Sequence, residues 1–254
     1  MPELPEVETI RSQLNRKIVG KKLDGKMIIK VRRRAKLLII DFKDGSSLVF
    51  HLKLTGQLIF NGEVSSHTRK VFKFNGGSKL VFNDMRKFGW WKFVKNTKEM
   101  EEKFGPESLA VSFKTFKNLL MNHSKAKIKP LLMDQKVIAG IGNIYSDEIL
   151  FAAKVHPLRQ AETLKDKEVR QIFKSMRKIL NLAVKHHGSS VQDYLDSCGE
   201  KGDYVKYHKV YQKEGKKCAR CQSLIKRIKI SGRSTHFCPA CQSLALAGRS
   251  NCQQ

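Results

Sequence analysis

Pro2 directly follows the initiator methionine, and three glutamates lie within the next six residues: Met1-Pro2-Glu3-Leu4-Pro5-Glu6-Val7-Glu8-Thr9. Removal of Met1 would leave Pro2 as a free secondary amine beside carboxylates. An α-amino group titrates near about 7.7–8.0, against about 10.4 for lysine, so a useful fraction is unprotonated at neutral pH. Such an amine can attack an electrophilic carbon and form a Schiff base. A carboxylate kept partly protonated beside it would deliver a proton to the group that opens. Acids are also favoured in the first turn of a helix, and Glu6 to Leu14 reads as helical. A second constellation is Cys218-x2-Cys221, sixteen residues, then Cys238-x2-Cys241. Two such corners can converge on one Zn²⁺ as a tetrahedral all-thiolate site. With four protein ligands no position is left for water, so the expected ion is structural.

Other elements must hold these groups. After a first helix ending near Gly20, residues 25–95 read as strands: Leu48, Phe50, Leu52 and Leu54 alternate with Val49, His51 and Lys53. Asn75-Gly76-Gly77 between Phe72-x-Phe74 and Leu80-x-Phe82 signals a hairpin. The first lobe is therefore expected to be a β-sandwich carrying one N-terminal helix. Gly105-Pro106-Glu107 breaks the pattern, and a helical period follows. Phe113, Phe116, Leu119 and Leu120 make one stripe, and Val169, Ile172, Phe173, Met176, Ile179 and Leu180 another. A strand-like stretch is expected from Val205 into the cysteine region. Ile228–Ile230 and Thr235–Phe237 read as a hairpin turning at or near Ser231-Gly232. The expectation is an α+β chain with segments 1–112, 113–204 and 205–254.

Composition narrows the partners. The 254 residues carry a formal charge of +27. The excess is not a tail, since residues 1–112 hold 23 Lys and Arg against 12 Asp and Glu, and residues 113–254 hold 27 against 11. A polyanion held between two basic lobes is the expected partner. No apolar run approaches the about 20 residues of a membrane span, and the N-terminus carries acids where a signal peptide would carry bases. A cytoplasmic location is expected. Paired C-x-x-C units suit metal binding in a reducing compartment, while Cys198 and Cys252 have no evident partner.

The N-terminal nonapeptide resembles, residue for residue, that of bacterial formamidopyrimidine-DNA glycosylases, and later motifs extend the likeness over nearly the whole chain. Leu131-Leu132-Met133-Asp134-Gln135-Lys136-Val137-Ile138-Ala139-Gly140-Ile141-Gly142-Asn143-Ile144-Tyr145 is similar to the family's helix-two-turns-helix, and Gly232-Arg233-x-Thr235 to its zinc-finger hairpin. The resemblance implies that Pro2 attacks C1′ of a damaged nucleotide, that Glu3 protonates the deoxyribose ring oxygen, and that Glu6 supports them. It further implies that Lys36 of Arg33-Arg34-Ala35-Lys36 contacts DNA near the lesion and that Arg233 grips the lesion's phosphate. Asn143 is expected to bind phosphate, Lys136 to contact the damaged base or its phosphates, and Tyr145 either to join them or to pack in the helix core. An enzyme that rotates a base out of duplex DNA must fill the gap, and Leu54, Arg86 and Phe88 match the family's gap-filling positions. Leu54 replaces the usual methionine there, and Met85 replaces a usual proline.

The stretch from Gly20 to Lys36 is shorter than in bacterial relatives, whereas Tyr194 to Tyr211 keeps the length of the loop that closes over an extruded purine. The activity so implied is a bifunctional glycosylase and abasic-site lyase acting on oxidised purines in damaged double-stranded DNA, as a monomer with one structural zinc ion. An endonuclease VIII-like pyrimidine glycosylase and a non-catalytic DNA-binding zinc protein are the alternatives.

Overall fold

The computed structural model describes residues 1–244, so Cys252 lies outside the described residues. The chain forms two compact units, Met1–Glu107 with Leu180–Tyr207, and Ser108–Ile179 with the chain from His208.

In the first unit α1 (Leu4–Ile18) begins with a reciprocal capping box between Glu3 and Glu6 and has proline in its first turn. Val7, Ile10, Leu14 and Ile18 repeat at helical spacing and are fully buried. The strands are β1 (Lys22–Leu23), β2 (Lys26–Arg34), β3 (Leu37–Phe42), β4 (Ser47–His51), β5 (Gly56–Phe60), β6 (Thr68–Lys73), β7 (Lys79–Asp84) and β8 (Trp90–Val94). They form an antiparallel sheet ordered β1-β2-β3-β4-β8 and a smaller one ordered β5-β7-β6. The α1 stripe joins Leu38, Ile40, Phe42, Leu48 and Phe50 from the larger sheet and Leu58, Phe72, Leu80 and Phe82 from the smaller in one core. On the other face of the larger sheet Leu37, Ile39 and Val49 pack with Trp90, Val94, Met100 and Phe104. Burial on both faces explains why Leu37-Leu38-Ile39-Ile40 shows no alternation.

Asn75-Gly76-Gly77 does turn a hairpin, with Phe74 N–H donating to Ser78 O at 2.8 Å. Asp24 and Gly25, both with positive φ, join β1 to β2 in a two-residue turn, so the shortened stretch closes by the Asp-Gly geometry that suits a twisted hairpin. The alternation expected through Leu54 stops at His51. Lys53 takes a φ of 52° and Gly56 N–H donates to Leu52 O at 2.9 Å, turning the chain into β5. After β8 a short helix α2 (Lys98–Glu101) follows.

The second unit holds α3 (Phe113–Met121), capped by Ser112, then α4 (Ile128–Met133) and α5 (Asn143–Ala153). Helix α6 (Asp166–Lys185) contributes Asp166–Ile179 to this unit and its last turns to the first. The two apolar stripes meet as expected, with Phe113 and Phe116 ring centroids 5.6 and 5.5 Å from that of Phe173. The strand expected from Val205 is absent among the described residues: Tyr204–Tyr207 is a 3-10 turn, with Tyr204 N–H donating to Gly188 O at 3.0 Å. Strands β9 (Lys226–Ile230) and β10 (Arg233–Phe237) pair with Arg233 opposite Ile230, which leaves Ser231-Gly232 as the turn. No helix among the described residues is long and apolar enough to cross a membrane.

The units cut the chain differently from the boundaries at 112 and 204 expected from periodicity. Residues 180–207 count with the first unit because they are hydrogen-bonded to α1 and β5. Ser189 N–H donates to Glu6 at 2.8 Å, Gln13 donates to Asp196 at 2.6 Å, and Phe60 N–H donates to Ser197 O at 2.9 Å.

Candidate active site

In the first unit Pro2 and Glu3 are buried immediately before α1. Glu6 holds them: one carboxylate oxygen accepts the Glu3 N–H at 2.7 Å and the other accepts Ser189 N–H. The Glu6 carbonyl also receives the Tyr194 hydroxyl at 3.3 Å, and burial with the nearby Glu6 and Asp196 charges raises that phenol well above its usual value. The N-terminus is thereby fixed to the loop after α6, a tie made by residues 183 and 188 positions apart that periodicity does not signal.

Lys36 is buried at the two-residue β2–β3 turn, where Ala35 has a φ of 53°. Burial, with Lys53 and Lys36 nearby, pushes His51 down to about 4, so its imidazole is neutral. The preceding arginines face inward to carboxylates. Arg32 pairs with Asp41 and Glu101 at 2.6 Å each, Arg33 with Glu8 and Glu107 at 3.0 and 2.6 Å, and Arg34 with Glu107 at 3.0 Å. Much of this basic run is therefore internal scaffolding. By contrast Met85, Arg86, Lys87 and Phe88 form an exposed loop between β7 and β8, with Phe88 54% exposed and the Arg86 guanidinium 5.1 Å from its ring centre. Leu54 sits half-buried on the loop before β5.

In the second unit the chain between α4 and α5 is stitched by Gln135. Its side chain donates to Met133 O and Ile141 O at 2.8 and 2.7 Å and accepts Gly140 N–H at 2.9 Å. Lys136 is exposed on this turn. Asn143 opens α5, and its buried Oδ1 has no partner. The positive end of a helix favours an anion. Tyr145 is fully buried, so its ring belongs to the core and does not reach a ligand at the surface. Arg233 is exposed at the start of β10 and lines, with Lys129, Met133 and Asp134 of the α4 end, a depression of about 190 Å³.

A buried network fixes that hairpin against the helices. Lys129 Nζ lies 2.7 Å from Asp147 and donates to Ser234 O and Thr235 Oγ1 at 2.9 and 2.8 Å, while Asp147 accepts His236 N–H at 2.9 Å. The next residue, Glu148, accepts the N–H groups of Lys209, Val210 and Tyr211 at 2.9–3.0 Å, and burial raises its pKa. Sequence reasoning missed this pair. The available signal was two adjacent acids inside the otherwise apolar run of α5.

Cys218, Cys221, Cys238 and Cys241 bring their sulfurs within 4.8 Å of one another. The separations of 3.4, 3.5 and 3.9 Å bracket the about 3.8 Å edge of a tetrahedron with Zn–S near 2.3 Å. The N–H groups of Arg220 and Cys241 point at Cys218 and Cys238 sulfur, 3.4 Å away, as expected for thiolates held in knuckles. The residues fit one structural zinc ion.

Family models match the chain in three places: the formamidopyrimidine-DNA glycosylase N-terminal domain over residues 20–91, its H2TH domain over 104–194, and a zinc finger found in FPG and IleRS over 215–244. The formamidopyrimidine-DNA glycosylases of Listeria innocua and Carboxydothermus hydrogenoformans are 40% and 38% identical to it, over 95% of this chain and 100% of each relative. Among solved structures, the Lactococcus lactis Fpg bound to DNA containing an abasic site has a TM-score of 0.87 at 34% identity, covering 95% of this chain and 99% of that one. MutM (Fpg) from Thermus thermophilus has a TM-score of 0.88 at 36% identity, over 95% and 98%. A likeness this even across sheet lobe, helical turns and cysteine hairpin means that the chain belongs to the formamidopyrimidine-DNA glycosylase family.

Proposed function

We propose that this chain is a DNA glycosylase of base excision repair that removes oxidised purines, 8-oxoguanine and formamidopyrimidines, and then cleaves the abasic strand. The observation that carries the reading is the buried Pro2-Glu3 pair at the start of α1, held by Glu6, in a member of this family. After loss of Met1, the Pro2 nitrogen forms a bond to C1′ as the bond to the base breaks. Glu3 gives a proton to the ring oxygen, the sugar opens, and a C1′ iminium results. That cation acidifies C2′, so loss of a C2′ proton expels the 3′ phosphate, and a second elimination expels the 5′ phosphate. Release of the amine by water regenerates the enzyme.

Lys36, Lys136, Asn143 and Arg233 hold the phosphates around the lesion, and Leu54, Arg86 and Phe88 fill the gap left by the extruded nucleotide. Tyr145 supports α5 from within. The 1–112, 113–204 and 205–254 segments supply respectively the nucleophile, the helical phosphate grip and the finger. The zinc ion, when bound, supplies structural cross-linking alone. The enzyme works as a monomer in the cytoplasm, where its DNA lies.

Borohydride reduction on a duplex with one abasic site tests this directly. A covalent adduct mapping to Pro2 is expected, and Pro2→Gly, or retention of Met1, should slow base excision by about a thousandfold or more while DNA binding persists. No adduct, or one on a lysine, would contradict the assignment.

A further inference from the structure

The exposed loop Met85–Phe88 and the loop carrying Leu54 belong to different strands, yet one buried side chain joins them. Asp84, the last residue of β7, is 1% exposed. Its Oδ1 accepts the Thr55 hydroxyl and, at 3.2 Å, the Arg86 N–H, while its Oδ2 accepts the Gly89 N–H at 2.6 Å. Arg86 N–H also reaches Thr55 Oγ1 at 3.1 Å. The Asp84 backbone is engaged as well, its N–H donating to His67 O at 2.9 Å and its carbonyl accepting Arg69 Nε at 2.9 Å. Both ends of the Arg86–Phe88 turn and the residue after Leu54 thus converge on one carboxylate. A β-carbon on Gly89 would lie 2.8 Å from the Phe82 ring and 3.0 Å from Asp84 Oδ2, so this closure also requires glycine there. No side chain of the turn itself packs in the core, so these backbone bonds, with the Arg86–Phe88 ring contact, define where Arg86 and Phe88 point.

We infer that Asp84, with Thr55, is a positioning residue that pre-organises the gap-filling loops before DNA is bound, so that insertion beside an extruded nucleotide carries no further ordering cost. Charge-assisted hydrogen bonds of this kind are the strong ones, and holding a group in its productive geometry lowers the barrier to reaction. The inference rests on the gap-filling role assigned above to Leu54, Arg86 and Phe88. An asparagine at 84 keeps the shape but replaces one acceptor with a donor, so Thr55, Arg86 and Gly89 cannot all be satisfied.

The test compares Asp84→Asn and Thr55→Val with the unaltered enzyme on two substrates: a duplex bearing 8-oxoguanine opposite cytosine, and a single-stranded oligonucleotide bearing an abasic site. The second has no stacked partner to displace. Asp84→Asn should slow single-turnover excision from the duplex by about tenfold or more, Thr55→Val less, and both should keep borohydride capture on the single strand within about twofold. Adding Asp84→Asn to Leu54→Ala/Arg86→Ala/Phe88→Ala should cost little more, because Asp84 acts through those side chains. Unchanged duplex excision, equal loss on both substrates, or full additivity would overturn the inference. If the unaltered enzyme captures neither substrate, the functional reading itself fails instead.

Discussion

Single residues in this chain do different work from what their types suggest in isolation. Arg32, Arg33 and Arg34 look like DNA-binding charge, but their guanidinium groups are taken by Asp41, Glu8, Glu101 and Glu107. Lys129 is similar. It is 1% exposed and ion-paired with Asp147, whose other oxygen binds the backbone of β10. Breaking a buried pair from one side leaves an uncompensated charge, at about 3–5 kcal/mol. Lys129→Met should therefore destabilise the second unit by that amount in urea unfolding, and Lys129→Met combined with Asp147→Leu should recover part of it. Equal stability of the single variant would show that Asp147 is satisfied without Lys129. No local pattern announces this pairing, because its partners lie on α4, α5 and β10.

At the scale of elements, the zinc hairpin and the β-lobe should fail separately. The knuckles close over a small cluster of Phe151, Val210, Cys218, Ile225 and Cys238, which is too little apolar surface to hold a hairpin without a metal. Cys238→Ser should lose the bound zinc ion and lower DNA affinity by about tenfold or more, since Arg233 sits on the strand that ends at Phe237, immediately before Cys238. Both tryptophans of the chain, Trp90 and Trp91, lie on β8 of the first unit. Their fluorescence midpoint should consequently stay where it is in that variant. A matching shift of the tryptophan signal would mean that the metal supports the sheet lobe as well. The elements were largely readable from sequence: the α1 stripe, the Asn-Gly hairpin, the two Phe-rich helical stripes and the Ser231-Gly232 turn each carry a local signature. Asp24-Gly25 carries one too. The missed ends, at His51 and in Tyr204–Tyr207, are set by a left-handed lysine and by a backbone bond to Gly188, and neither belongs to a periodic pattern.

For the molecule as a whole, acid should be more damaging than the high positive charge alone implies. Burial, with Lys53 and Lys36 near one and Lys213 near the other, pushes His51 and His208 down to about 4. The unfolded chain takes up both protons as pH falls through about 6.5, whereas the folded chain resists until near 4. Their contribution to stability is therefore complete above about 6.5 and is lost as pH falls towards 4, by about 2 kcal/mol for each group at pH 5. His51 lies in the first unit and His208 in the second, so both units should melt lower at pH 5 than at pH 7.5. His208→Asn should weaken that dependence in the second unit, and an unchanged pH profile would remove His208 from the account. The amino-acid sequence by itself determined the reactive N-terminal motif, the metal-ligand spacing, the basic excess and most elements, because each depends on neighbours within a few turns of chain. Tertiary structure alone decided which charges face solvent and which are spent internally, that Tyr145 is core, that Glu6 ties Glu3 to Ser189, and that Asp84 draws two loops together. Those outcomes depend on groups far apart in the chain meeting away from water, where an unpaired polar atom is costly and its partner is chosen by the fold.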